Sequence, residues 1–120
     1  MRITIKATGI EHTNAIDSYV TKALKNLEKV LEPREKSVIA RVDVGVTTKH
    51  RKAGEIFYAE LTMHVKGKDV RAVATADSLY TAIDDMRDDV VREVTQYHDR
   101  LRAKVKSGAR TMKERMQKAS

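Results

Sequence analysis

The sequence predicts an α+β domain with the element order β-α-β-β-β-α, in which a four-stranded sheet carries two helices on one face. Three observations predict it. Four segments alternate apolar and polar residues with a period of two, as half-buried strands do. Two longer segments repeat apolar residues at three- and four-residue spacing, as helices with one buried side do. The links between the later strands are turn-rich, so those strands pair as antiparallel hairpins and both helices share one apolar floor.

The first strand runs from Arg2 to Ala7, with Ile3, Ile5 and Ala7 on one side and Arg2, Thr4 and Lys6 on the other; Gly9 ends it. Thr13 or Asn14 caps the helix that follows, and Asp17 lies in its first turn at the favourable end of the dipole. Ile16, Val20, Ala23, Leu27, Val30 and Leu31 form the helix's apolar stripe, with Tyr19 and Leu24 at the margins. Pro33 stops it. In the second strand, Val38 to Thr47, the residues Val38, Ala40, Val42, Val44 and Val46 face inward, opposite Arg41 and Asp43. A basic turn, KHRKAG at 49–54, leads to a third strand with Phe57, Leu61, Met63 and Val65 inside. Lys66-Gly67-Lys68-Asp69 reads as a tight turn, and Val70, Ala72 and Ala74 continue the inner face with side chains small enough for close helix packing. Asp77 or Ser78 caps the second helix, whose stripe is Leu79, Ile83, Met86, Val90, Val94, Tyr97 and Leu101.

Ser107-Gly108 is the predicted break. Beyond it only Met112 and Met116 recur with helical spacing. The expected organisation is therefore one folded domain, residues 1–103, followed by a basic tail, residues 104–120, disordered in the free protein. The outer sheet face stays wet, with Lys6, Arg41, Asp43, Glu60, Thr62, His64 and Arg71 on it. A chain of 120 residues is one domain, with a core that needs no staples. The absence of cysteine excludes disulfides and thiolate metal sites. The N-terminus turns polar too early for a secretion signal, and no apolar run approaches the roughly 20 residues of a membrane span. The expectation is a soluble, cytoplasmic protein with no membrane contact.

Charge is uneven. Residues 1–100 hold 17 basic against 16 acidic side chains, whereas residues 101–120 hold seven basic residues and only Glu114. A nearly neutral domain with a cationic tail suits a phosphate-bearing partner, and a large RNA is the first candidate. Lys22, Lys25 and Lys29, three and four residues apart, stack along one ridge of the first helix, roughly opposite its core face. Such a ridge can follow a phosphate backbone without reading bases, although the same spacing occurs on ordinary solvated faces. Three further basic patches join it: Lys49, Arg51 and Lys52 in the long hairpin, Lys66 and Lys68 in the short one, and Lys104, Lys106, Arg110, Lys113, Arg115 and Lys118 in the tail. Against them stand Asp84, Asp85, Asp88, Asp89 and Glu93 on the second helix, with Arg87 and Arg92 among them; the five carboxylates would repel phosphate along most of its length. Tyr58 is the one tyrosine read as facing outward, so base stacking is not the favoured mode.

Catalysis and metal binding find no foothold. His12, His50, His64 and His98 lie in separate elements, form no metal-ligand pair and read as surface residues. The aspartates at 84, 85, 88 and 89 face one another at i, i+4 spacing, but no calcium loop or second acidic element closes a cage around them. There is no glycine-rich phosphate loop. No cofactor, metal or enzymatic activity is expected.

Three stretches resemble one family. They are I-x-A-T-G-I-E at 5–11, Y-V-x-K-A-L-x-N-L-E at 19–28, and V-x-G-K-D-V-R-A-V-A-T-A-D-S-L-Y-T-A-I-D-D at 65–85. Together they resemble the ribosome hibernation-promoting and ribosome-associated inhibitor proteins, in a short form without a C-terminal dimerisation domain. The resemblance implies a fold similar to a double-stranded-RNA-binding domain with one extra strand. It also implies docking in the decoding channel of the small ribosomal subunit, where the protein would block transfer RNA and messenger RNA and protect idle ribosomes under stress or in stationary phase. The partners implied are the small subunit, its RNA and the assembled ribosome, with the protein itself a monomer in isolation. The family's basic positions fall on Lys22, Lys25 and, on the second helix, Arg92. The chain departs from the family at Asp89, commonly Lys there, and at Thr95 and Gln96, commonly basic. The tail is similar in length to that of members opposing ribosome pairing. Two other readings stay open: a protein-interaction module acting through the acidic helix, and a free double-stranded-RNA binder.

Overall fold

The computed structural model describes residues 1–47 and 54–119, with side chains through residue 109. The elements are β1 (Arg2–Thr8), α1 (Asn14–Ala23), α2 (Lys25–Val30), a 3-10 turn (Pro33–Glu35), β2 (Ile39–Val46), β3 (Phe57–Val65), β4 (Lys68–Ala76) and α3 (Leu79–Ala119). This is the expected α+β order. The sheet is mixed, in the order β1-β2-β3-β4: β1 and β2 are parallel, because α1 and α2 carry the chain back between them, and the other two pairings are antiparallel hairpins. The row Ile5, Val42, Leu61, Ala72 crosses all four strands under the helices, and the next row, Lys6, Asp43, Glu60, Val73, crosses them on the open side.

Two glycines are demanded by geometry. Gly67 takes a positive φ of 83° in the two-residue β3–β4 turn. At Gly45 a Cβ would stand 2.1 Å from the Thr8 carbonyl oxygen, so only glycine lets β1 and β2 close at this point.

The core is made where the periodicities place it. Ile16, Val20 and Leu27 from the helices meet Val42, Val44 and Leu61 from the sheet and Ile83, Met86, Val90 and Val94 from α3, all buried. Thr13 is the N-cap of α1, its Oγ1 accepting from the Ile16 N–H at 3.2 Å. Ser78 precedes α3 and its carbonyl accepts from the Ala82 N–H.

Besides Leu101, expected on the apolar stripe of α3 but exposed where that helix runs past the sheet, the structure departs from the sequence expectation in four places. The first helix is two segments: at Leu24 (φ −75°, ψ −3°) the axis bends, and Leu24, expected at the margin of the stripe, is fully buried. Ala59 rather than half-buried Phe57 opens the inner face of β3. His98, read as a surface residue, is buried at 6 % exposure. Its Nε2 lies 2.8 and 3.0 Å from the two carboxylate oxygens of Glu35, itself 4 % exposed. The fourth departure is the predicted break at Ser107-Gly108: α3 runs on through it to Ala119. One helical glycine costs only about 1 kcal/mol relative to alanine, and the Arg, Lys, Ala, Met, Glu and Gln around it are strong helix formers. The 41-residue helix is about 60 Å long, which accounts for a longest dimension of 72 Å.

Candidate nucleic-acid interface

The α1–α2 pair presents the clearest group of free cations. Burial of Val20, Ala23, Leu24 and Leu27 on one side turns Lys22, in the last turn of α1, and Lys25 and Lys29, in α2, to solvent. Among the described residues none of the three has a carboxylate within ion-pairing distance. The nearby Glu28 faces the chain's N-terminal ammonium at 3.9 Å.

The other sequence-predicted positions divide. Lys49, Arg51 and Lys52 lie outside the described residues. Lys66 is exposed on the β3–β4 turn, with its carbonyl held at 3.0 Å by the Tyr97 hydroxyl. Lys68 is already engaged, its Nζ 5.7 Å from the centre of the Tyr97 ring and 3.9 Å from Glu93. Arg92 is exposed, yet donates to Asp89 at 2.6 Å. Lys104 and Lys106 are exposed on the projecting part of α3. Arg110, Lys113, Arg115 and Lys118 continue that helix, their side chains outside the described set.

The acidic side of α3 is less repulsive than its composition suggests. Asp84 accepts the Tyr19 hydroxyl on both oxygens at 2.9 Å and lies 3.6 Å from Arg87. Arg87 Nε donates to Asp88 at 2.9 Å, Asp89 holds Arg92, and Glu93 faces Lys68. Asp85 alone of the five is exposed without a partner among the described residues. The hydrogen bond to Asp84, aided by burial and by that carboxylate's charge, holds the Tyr19 hydroxyl above the ordinary tyrosine pKa.

One residue escaped sequence reasoning. Tyr80, at the start of α3, is 44 % exposed, with its ring centre 4.6 Å from that of Tyr19 at an interplanar angle of 63°. The signal was available: Tyr80 follows Leu79 and so falls off the Leu79–Ile83–Met86 stripe. Among the described residues no group of three or more His, Cys, Asp or Glu side chains could hold a metal, and no helix is long and apolar enough to cross a membrane.

Comparison with known proteins agrees with this architecture. The family model described as Sigma 54 modulation protein / S30EA ribosomal protein matches residues 3–102. The chain belongs to this family. Within the S30EA family it is 30% identical over 103 residues to the ribosome hibernation promoting factor of Salmonella typhimurium, covering 85% of the chain and 98% of that protein. Identity to the Escherichia coli K12 factor of the same name is 26% with the same coverage. Against the ribosome hibernation promotion factor of Lactococcus lactis it is 26% over 111 residues, spanning 57% of that longer protein. The N-terminal domain of Thermus thermophilus Protein Y superposes with a TM-score of 0.68 at 26% identity, covering 81% of this chain and 99% of that one. A ribosomal subunit interface protein from Coxiella burnetii, at 14% identity and a TM-score of 0.66, shares the fold.

Proposed function

We propose that this protein is a non-catalytic, ribosome-binding translation inhibitor. It occupies the decoding channel of the small subunit and excludes transfer RNA and messenger RNA from idle ribosomes under stress or in stationary phase. The observation that carries this reading is the free, solvent-facing trio Lys22, Lys25 and Lys29 on a packed helical pair, in a chain of the S30EA ribosomal protein family. Ammonium groups held on a rigid scaffold recognise the shape and phosphates of folded RNA with little ordering cost. The same logic suits a fold with a helix-covered sheet similar to a double-stranded-RNA-binding domain. Paired carboxylates along α3 favour one oriented pose over indiscriminate coating.

In this mechanism no bond is made or broken. The domain of residues 1–103 wedges against ribosomal RNA through the lysine trio, Lys66, Arg92 and the loop residues Lys49, Arg51 and Lys52. Arg92 engages phosphate by exchanging Asp89 for it. The basic segment 104–120 extends the footprint along the messenger path, and no cofactor is used.

Cosedimentation with vacant small subunits across a salt series tests the proposal. The doubly substituted K22E/K25E chain is expected to bind at least about tenfold more weakly and to show a salt slope shallower by about two. Its melting should stay within about 0.5 kcal/mol of the parent's, since both side chains are exposed. A plain RNA duplex is expected to bind far more weakly than the subunit. Equal affinity for the two, or unchanged binding after the double substitution, would overturn the reading.

A further inference from the structure

We propose that the groove between α1 and the start of α3 receives one unpaired RNA nucleotide, its base stacked on Tyr80 and its phosphate on Lys22. This rests on the ribosome-binding reading above and adds a neutral, base-contacting site to what is otherwise a phosphate-binding surface.

The groove is shallow, about 430 Å3, and is lined by Ala15, Ser18, Tyr19, Lys22 and Tyr80. Tyr80 offers an exposed aromatic surface, and what lies behind it makes that surface a platform. The Tyr19 ring meets it edge-to-face at 4.6 Å, and the Tyr19 hydroxyl is tied to both Asp84 oxygens at 2.9 Å. The platform is therefore braced by α1 and α3 together, and a base that lands on it orders little that is not already ordered. Every nucleobase has a flat π-face to place there.

The charge and hydrogen-bonding groups around the platform fit a nucleotide. Lys22 lines the same groove, exposed and without a carboxylate partner among the described residues, so its ammonium is available to a phosphate. Ser18, also exposed there, supplies a hydroxyl that can donate to or accept from a ribose 2′-hydroxyl or a base edge. The carboxylate that Tyr19 contacts, Asp84, is also offset by Arg87 at 3.6 Å. The base must be unpaired, because a paired and stacked base has both faces covered.

The test compares the parent chain with Y80F, Y80L, Y80A and K22Q on vacant small subunits across a salt series. Y80F keeps the ring and should bind within about twofold of the parent. Y80A and Y80L should bind about 5- to 150-fold more weakly with the salt slope unchanged, because the group lost is uncharged. K22Q should lower the slope by just under one. Y80L preserves an apolar contact with Tyr19, so it decides the matter if Y80A fails to fold. Chemical probing should find an unpaired base protected by the parent and by Y80F but open with Y80L. If the parent binds and Y80L binds equally well, the platform is wrong and the ribosome-binding reading stands.

If the parent does not bind subunits at all, the broader reading fails and a second probe judges the groove alone. The chain has four tyrosines and no tryptophan, so its tyrosine emission is readable. A single-stranded hexa-adenylate at low salt should quench that emission in the parent and not in Y80L. Equal quenching in both, or none in either, overturns the proposal, as does an RNA-free protein that protects Tyr80 on the ribosome.

Discussion

Replacing His98 by alanine should unfold this domain far more readily than its place near the end of the core suggests. His98 is 6 % exposed and reaches Glu35, 4 % exposed, from 63 positions away in sequence. Both Glu35 oxygens face its Nε2, at 2.8 and 3.0 Å, and Oε1 also accepts the Glu32 N–H at 2.8 Å. In the H98A chain the carboxylate keeps the backbone donor and loses the side chain that joins the 3-10 turn to α3. Removing one partner of a buried, hydrogen-bonded pair costs about 3 to 5 kcal/mol, mostly the penalty of a buried carboxylate left short of partners. That is a large part of the roughly 5–15 kcal/mol by which a domain of this kind is folded. The midpoint of thermal unfolding, followed by circular dichroism, should fall by at least about 12 °C. A double-mutant cycle with E35A should return a coupling of about 1 kcal/mol or more between the two sites. A drop of less than about 3 °C, or a cycle whose single effects simply add, would refute a buried contact holding the turn to the helix.

Deleting residues 104–120 removes six basic side chains and should flatten the salt dependence of subunit binding by up to about 4 to 5 in a log–log plot; an unchanged slope would show that the segment meets no phosphate. G108A should raise the far-ultraviolet helical signal, strengthening α3 by about 1 kcal/mol, because a Cβ there meets nothing within 4 Å; no rise would mean that the helix does not pass through this position. Y19F removes a hydroxyl that donates to Asp84 and should cost about 1 kcal/mol at neutral pH, after allowance for partial exposure. Because the folded state raises the Tyr19 pKa, that stabilisation is complete below the ordinary tyrosine range and is lost as pH climbs through the raised value. The gap between the melts of Y19F and the parent should therefore hold constant through neutrality and close only in alkali.

Much of the fold was legible because its signals are local. Alternation in 2–7, 38–47, 57–65 and 70–76 marks which side of each strand is apolar, and the stripes of Ile16–Leu31 and Leu79–Val94 do the same for the helices. The candidate site was legible to the same depth: Lys22, Lys25 and Lys29 had to face away from Val20 and Leu27 once a helix was granted. What failed were readings that needed a neighbour. Tyr80 was missed because its worth depends on Tyr19, which lies 61 residues earlier in the chain. Lys68 and Arg92 counted as free cations until Glu93, Tyr97 and Asp89 were seen beside them. The acidic run of α3, with Arg87 and Arg92 among its carboxylates, still counted as repulsive along most of the helix until Arg87, Arg92, Lys68 and Tyr19 were seen to hold four of the five.

Periodicity thus sufficed for the identity and order of the elements, the inward face of each, and the outward turn of the lysine trio, since a residue's side on a helix or strand follows from its spacing alone. The parallel entry of β1, the bend at Leu24, the Glu35–His98 link and the passage of α3 through Gly108 belong to the folded molecule. Spacing reports that a face is covered, but only packing in three dimensions chooses what covers it, and hydrogen bonds and ion pairs are decided at that contact.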